Sequence, residues 1–159
     1  MIVNGYPNAS WGEKIMFKKI IVPLDGSELA AKILPQIEDL AKSMQAQVTL
    51  FTVGAVDIGF MGDIVPEGLG DYLHQVKIRS EKYLSEIGND LKSKGVLIDW
   101  VYVGSGSPAR EIITYAETNS YDLIAMATHG KGEFAWVLGS VAEKVITHAK
   151  VQILLLRVL

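Results

Sequence analysis

Three glycine-bearing loops in this chain each follow an apolar run of strand length, and each carries groups able to bind an anion or a polar small molecule. The first is Asp25-Gly26-Ser27, where the Asp25 carboxylate can either hold a ligand or cap the helix that begins near Glu28. The second is Gly104-Ser105-Gly106-Ser107, which with Ala109 imitates the glycine spacing of a dinucleotide-binding turn. The third is Thr128 to Ser140, THGKGEFAWVLGS. Gly130 and Gly132 permit close backbone approach, Lys131 supplies a cation, and Gly139-Ser140 open a helix whose positive end favours anions.

These loops differ in how far the chemistry can be taken. A dinucleotide turn needs an acid at the end of the following strand to hold a ribose. Asp122 stands at the beginning of that strand, so the Gly104 loop reads as a tight turn with Ser107 as helix cap. The third loop lacks the Gly-Lys-Ser/Thr ending of a Walker A motif. From spacing alone it is equally a phosphate cradle or a structural connection pinned by Phe134 and Trp136. Asp25, Ser27 and His129 invite a hydrolase triad, but the nucleophile elbow G-x-S-x-G is absent. His74 and His148 have no partners at metal-ligand spacing, which predicts no metal site.

The elements that would position these loops are legible as apolar periodicity. Strand-length runs occupy Lys18–Leu24, Gln47–Val53, Leu97–Val103, Tyr121–Thr128 and Val151–Val158, mostly apolar without alternation, as in strands buried on both faces of a parallel sheet. Helical stripes lie between them. One spans Leu29–Met44, with a kink expected at Pro35. The next covers Leu69–Ser93 with Leu69, Leu73, Val76, Tyr83, Ile87 and Leu91 facing inward. A third starts at Pro108, and a fourth follows Ser140, where Ser140 and Glu143 have the spacing of a capping box. Strict βα alternation predicts a single-domain, doubly wound α/β fold with a five-stranded parallel sheet. In such sheets ligands sit beyond the strand carboxyl ends, where the strand order reverses.

Composition sets the outer limits. At 159 residues the chain can build one real core, and 49% hydrophobic against 21% charged residues is a globular balance. A net charge of −3 gives no nucleic-acid footprint, and zero cysteines exclude disulfides and thiolate metal sites. No apolar run reaches the roughly 20 residues of a membrane span, and the N-terminus has no secretory pattern, so the expected location is the cytoplasm. Residues 1–15, with Gly5, Pro7, Asn8 and Gly12, are expected to form an irregular arm before a domain at 16–159. The Gly-rich stretch from Val56 to Gly70 reads as a loop or lid.

The segments MFKKIIVPLDGSELA, VTLFTV, GSPAREI and DLIAMATHGKGEFAWVLGSVAEKVITHAKVQILLLR together resemble the universal stress protein family. The resemblance covers nearly all of the chain from Met16 to Val158. It implies an adenine nucleotide alpha-hydrolase-like arrangement with strand order 3-2-1-4-5, in which the Asp25 loop faces the third loop. It also implies ATP bound through a pattern written G-x2-G-x9-G-[ST]. Asp25 would then meet ribose or adenine, and Pro23, Leu24, Val53 and Met126 would frame the base. Gly130, Gly139, Ser140 and the backbone from Val141 would take the phosphates, with His129 and Lys131 nearby.

Two departures stand in this chain: the first glycine of the pattern is Ala127, and eight residues rather than nine separate Gly130 from Gly139. The expectation is a regulatory protein of the stress response that binds ATP, with Mg²⁺ on its phosphates, or AMP or ADP. Binding would order the Gly130–Leu138 loop, and hydrolysis would be slow at most. The alternative is a nucleotide-free interaction protein with a decayed site. In either case the resemblance and the apolar strand 151–158 imply a homodimer through that strand, together with a protein partner that the sequence does not name.

Overall fold

The computed structural model describes residues 17–54, 67–129 and 138–157. Among these residues five strands and five helices follow in order: β1 (Lys19–Pro23), α1 (Glu28–Ala31), α2 (Leu34–Met44), β2 (Gln47–Val53), α3 (Leu69–Ser93), β3 (Leu97–Val103), α4 (Pro108–Thr118), β4 (Leu123–Ala127), α5 (Ser140–His148) and β5 (Gln152–Leu156). The strands pair in parallel in the order β3-β2-β1-β4-β5, so the chain winds outward in one direction and then returns to the other side of β1. The seam between β1 and β4 is the switch point.

Burial explains why the strand sequences look as they do. β1, β2 and β4 are covered on both faces, and their run of Ile, Val, Leu and Phe is correspondingly unbroken. Successive residues of β1 point to opposite layers. Ile20 and Val22 join one core with Ile33, Ile37, Leu84 and Leu91 beneath α1, α2 and α3. Ile21 joins the other, with Ile112, Ala116, Ile124 and Val145 beneath α4 and α5. The edge strands β3 and β5 are only partly covered, and so they depart from the expectation of full burial.

Two helix starts differ from the sequence reading. The stripe from Leu29 to Met44 is not one kinked helix: it breaks after Ala31 and restarts at Leu34, with Pro35 in the first turn of α2. Proline has no N–H to give, so it is accommodated where no helical donor is needed rather than bent into a helix interior. At α5 the N-cap is Gly139, not Ser140, and no side chain caps the helix. Gly139 is extended, its N–H donates to the Thr128 carbonyl at 2.9 Å, and its own carbonyl accepts from Glu143 N–H at 2.9 Å. Ser140 is thereby the first helical residue and its hydroxyl is not the cap. Ser107 does occupy the N-cap position of α4, also without a side-chain cap bond.

The inner face of α3 also includes Leu84 and Gly88. A Cβ at Gly88 would lie 2.6 Å from the Trp100 ring, so glycine there lets α3 settle closely on β3. The arm at 1–15 and most of the Val56–Gly70 loop lie outside the described residues.

Candidate functional site

A cavity of about 860 Å³ opens at the carboxyl ends of β1, β2 and β4. Its size falls in the range of about 300–1,000 Å³ usual for small-molecule sites. The sheet places it at the switch point, because only there do helices of the two layers diverge.

The wall below β1 begins with Pro23, Leu24 and Asp25. Leu24 is tied to the neighbouring strand twice: its N–H donates to the Phe51 carbonyl at 2.8 Å, and its carbonyl accepts from the Thr52 hydroxyl. Asp25 follows on this anchored end and is exposed. Its Oδ1 accepts from the Ser27 N–H at 3.0 Å and from the Ser27 hydroxyl at 2.6 Å. Ser27 Oγ in turn accepts from Ala30 N–H at 3.1 Å. Ser27 is thus the cap of α1, and Asp25 holds the cap, which orients the carboxylate at the cavity rim.

The opposite wall is built by the end of β4 and the start of α5. Met126, Ala127 and His129 lead in, and Gly139, Ser140 and Val141 close it. Thr128 is fixed by its N–H donating to Leu156 at 3.0 Å. The amides of Ser140, Val141 and Ala142 precede the first helical bond, donated by Glu143, and have no partner within the helix. His129 Nδ1 is paired with the Thr128 hydroxyl at 2.7 Å, while its Nε2 is buried without a partner among the described residues. Ala127, where the family pattern has glycine, is buried and lines the cavity.

Pro23, Leu24, Asp25, Val53, Met126, Ala127, His129, Gly139, Ser140 and Val141 therefore all line one cavity. Gly130, the remaining residue of the expected set, lies outside the described residues, as do Lys131, Phe134 and Trp136.

The sequence reading missed a whole wall. Helix α3 presents Tyr72, Val76, Arg79, Ser80 and Tyr83 to the same cavity. The spacing of three and four residues puts them on one stripe. Val76 and Tyr83 were expected to face inward, and the signal that Arg79 and Ser80 join them is their place between these two on the stripe. Among the described lining residues Asp25 is the sole carboxylate and Arg79 the sole permanent cation. The Tyr83 hydroxyl is buried without a partner among the described residues, and burial together with the negative charge of Asp25 raises its pKa above the usual tyrosine value. The base of the cavity is apolar, with Phe51, Ile112 and Met126 on the α4–α5 side of the sheet.

A doubly wound sheet with an apolar cleft at its switch point, a carboxylate on one rim and a helix N-terminus on the other is a small-molecule-binding fold. The universal stress protein family model matches residues 16–157, and the chain belongs to that family. It is 32% identical over 149 residues to universal stress protein YxiE of Bacillus subtilis, spanning 89% of this chain and 100% of that one. It is 31% identical over 144 residues to universal stress protein MJ0531 of Methanocaldococcus jannaschii, spanning 89% and 83%.

Among solved structures, hypothetical protein MJ0577 superposes with a TM-score of 0.77 at 27% identity, covering 89% of this chain and 96% of that one. A universal stress protein in complex with cAMP superposes at 0.63 with 21% identity, covering 90% and 98%. One from Archaeoglobus fulgidus in complex with dAMP does so at 0.62 with 17% identity, covering 89% and 98%. Among the described residues, no helix is long and apolar enough to cross a membrane.

Proposed function

We propose that this chain is a cytoplasmic regulatory protein of the stress response that binds ATP in the switch-point cavity, with ADP and AMP as weaker ligands. The observation that carries the reading is the pairing of opposite chemistries across one cleft: the Asp25 carboxylate on the β1 rim and the amides of Ser140 and Val141 on the α5 rim. A nucleotide has the matching polarity, with hydroxyl and amine donors at one end and phosphate acceptors at the other. Complexes of fold relatives with cAMP and dAMP support an adenine nucleotide as the kind of ligand. His129 Nε2, if protonated, adds a donor at the phosphate end. Mg²⁺ would come with the phosphates, and the reading includes no efficient hydrolysis.

Calorimetry with ATP, ADP and AMP tests this. Affinity should rise with phosphate number in the native protein. Asp25→Ala should weaken all three alike, by about ten- to 150-fold, the worth of roughly 1.5–3 kcal/mol for a hydrogen bond to a charged group. Absence of binding by all three at millimolar concentration would end the nucleotide reading. It would favour a nucleotide-free interaction protein, for which the methyl of Ala127 and the shortened Gly130–Gly139 spacing are the motivating features.

The dimer belongs to the same proposal. β5 is an edge strand whose Leu154 and Leu156 pack toward one core while Ile153 and Leu155 pack toward the other, and all four remain partly exposed. An uncovered apolar edge invites pairing, and β5 of a second copy would cover it. Sedimentation should show a dimer in the native protein and a shift to monomer on Leu154→Lys or Leu156→Lys. A monodisperse native monomer would overturn it.

A further inference from the structure

We infer that Tyr83, on α3, is a sugar-reading residue, and that with Asp25 it selects a ribose cis-diol over a 2′-deoxyribose; this rests on the nucleotide reading above. Three observations converge on the phenol. Its side chain lines the cavity, its oxygen is buried with no partner among the described residues, and it lies close enough to Asp25 for the carboxylate charge to disfavour its ionisation. A buried hydroxyl left unpaired costs stability, and one carried by a side chain that lines a cleft can recover that cost by pairing with a bound ligand.

The chemistry of the two groups narrows what they recognise. Asp25 only accepts hydrogen bonds, whereas a phenol both donates and accepts. A ligand bridging them must offer a donor to the carboxylate and, beside it, an oxygen able to accept from the phenol. Neighbouring hydroxyls of a ribose do this: one donates to Asp25 and the other accepts from Tyr83. The amino edge of adenine has a similar pattern, but the layout of the cavity favours the sugar. Leu24 and Tyr83 belong to the α1–α3 side of the sheet, whereas Val53 and Met126, the apolar cavity lining that suits a base, lie on the other side. Phosphates directed at α5 leave the ribose as the part of the nucleotide next to Asp25.

The test compares ATP, 2′-deoxy-ATP and ITP on native protein and on Tyr83→Phe. Native protein should bind ATP about tenfold more tightly than 2′-deoxy-ATP, the scale of one hydrogen bond. Tyr83→Phe should lower ATP affinity to the level of 2′-deoxy-ATP while leaving 2′-deoxy-ATP and the ATP-to-ITP ratio unchanged. The same variant should melt at or above the native temperature without ligand, since it removes an unpaired buried oxygen. A purely structural tyrosine would instead lower the melting temperature and weaken every nucleotide alike.

Unchanged ribose discrimination in Tyr83→Phe, with native binding intact, overturns the assignment and leaves the nucleotide reading standing. A changed ATP-to-ITP ratio overturns it in favour of base recognition. If the native protein binds no nucleotide, both readings fall.

Discussion

Replacing Phe51 with alanine should lower the unfolding free energy by about 3–5 kcal/mol, a large share of the roughly 5–15 kcal/mol that holds a domain together. Phe51 sits in β2 with none of its surface exposed, opposite Pro23 of β1 and Val101 of β3. Its ring meets Tyr115 at a centroid distance of 5.0 Å, and Tyr115 meets Tyr121 at 5.8 Å. The Tyr121 hydroxyl then donates to Thr49 at 2.8 Å, two residues back along β2, which closes an aromatic row beneath α4. Truncating Phe51 removes the apolar burial and leaves a hole that this hydrogen-bonded row is poorly able to fill. Because Phe51 is also among the residues around the switch-point cavity, the hole would open toward its α4–α5 side. Urea unfolding should show a lower midpoint with an unchanged slope. A loss under about 1 kcal/mol would mean that the row collapses freely around the gap.

That aromatic row also shows what the sequence could and could not reveal. Gln47–Val53, Leu97–Val103 and Leu69–Ser93 appear in the structure with the bounds read from periodicity, because each is a long, consistent pattern in which burial and propensity agree. The order 3-2-1-4-5 came from the family resemblance, since periodicity gives the elements but not their neighbours.

The misreadings lie where a short-range rule had two ways to be satisfied. Ser140 and Glu143 have the spacing of a capping box, but Gly139 already bonds Thr128 and Glu143 through its backbone and takes the cap position. Asp25, which the sequence leaves open between ligand and cap, is not the cap: Ser27 takes that role and Asp25 supports it.

The α3 wall was hidden for a different reason. Arg79 and Ser80 are polar, and on a long amphipathic helix polar residues are read as facing water. Only the third dimension shows that this water is the cavity between α3 and the strand ends. Sequence periodicity can say which side of a helix is apolar, but not that the helix overhangs the end of the sheet. The candidate site was thus legible where it lies on loops that close strands, and illegible where a helix borrowed from the scaffold completes it.

Gly54→Ala, by contrast with its neighbour Gly104→Ala, should be strongly disruptive, and the pair isolates packing from backbone freedom. Neither glycine has a positive φ, so alanine strains the backbone of neither one. A Cβ at Gly104 meets nothing within 4 Å, and that substitution should fall within about 0.5 kcal/mol of native. At Gly54 the added carbon would stand 2.3 Å from the Gly104 carbonyl oxygen and 2.7 Å from the Tyr102 hydroxyl. The tyrosine can rotate away, but the carbonyl belongs to the backbone. Nor can the two chains part without cost, since Gly54 N–H donates to the Val103 carbonyl at 2.7 Å and extends the β2–β3 ladder by one residue. Overpacking of this kind costs about 1–3 kcal/mol, with loss of that terminal hydrogen bond adding roughly 1 kcal/mol. Gly54 and Val53 both line the cavity, so the displaced end of β2 should also weaken nucleotide binding in Gly54→Ala while Gly104→Ala binds as the native protein does. Thermal unfolding and calorimetry on the two variants decide it. Equal tolerance of alanine at both positions would show that the strand ends are free to separate and that the β2 rim of the cavity is not held by this contact.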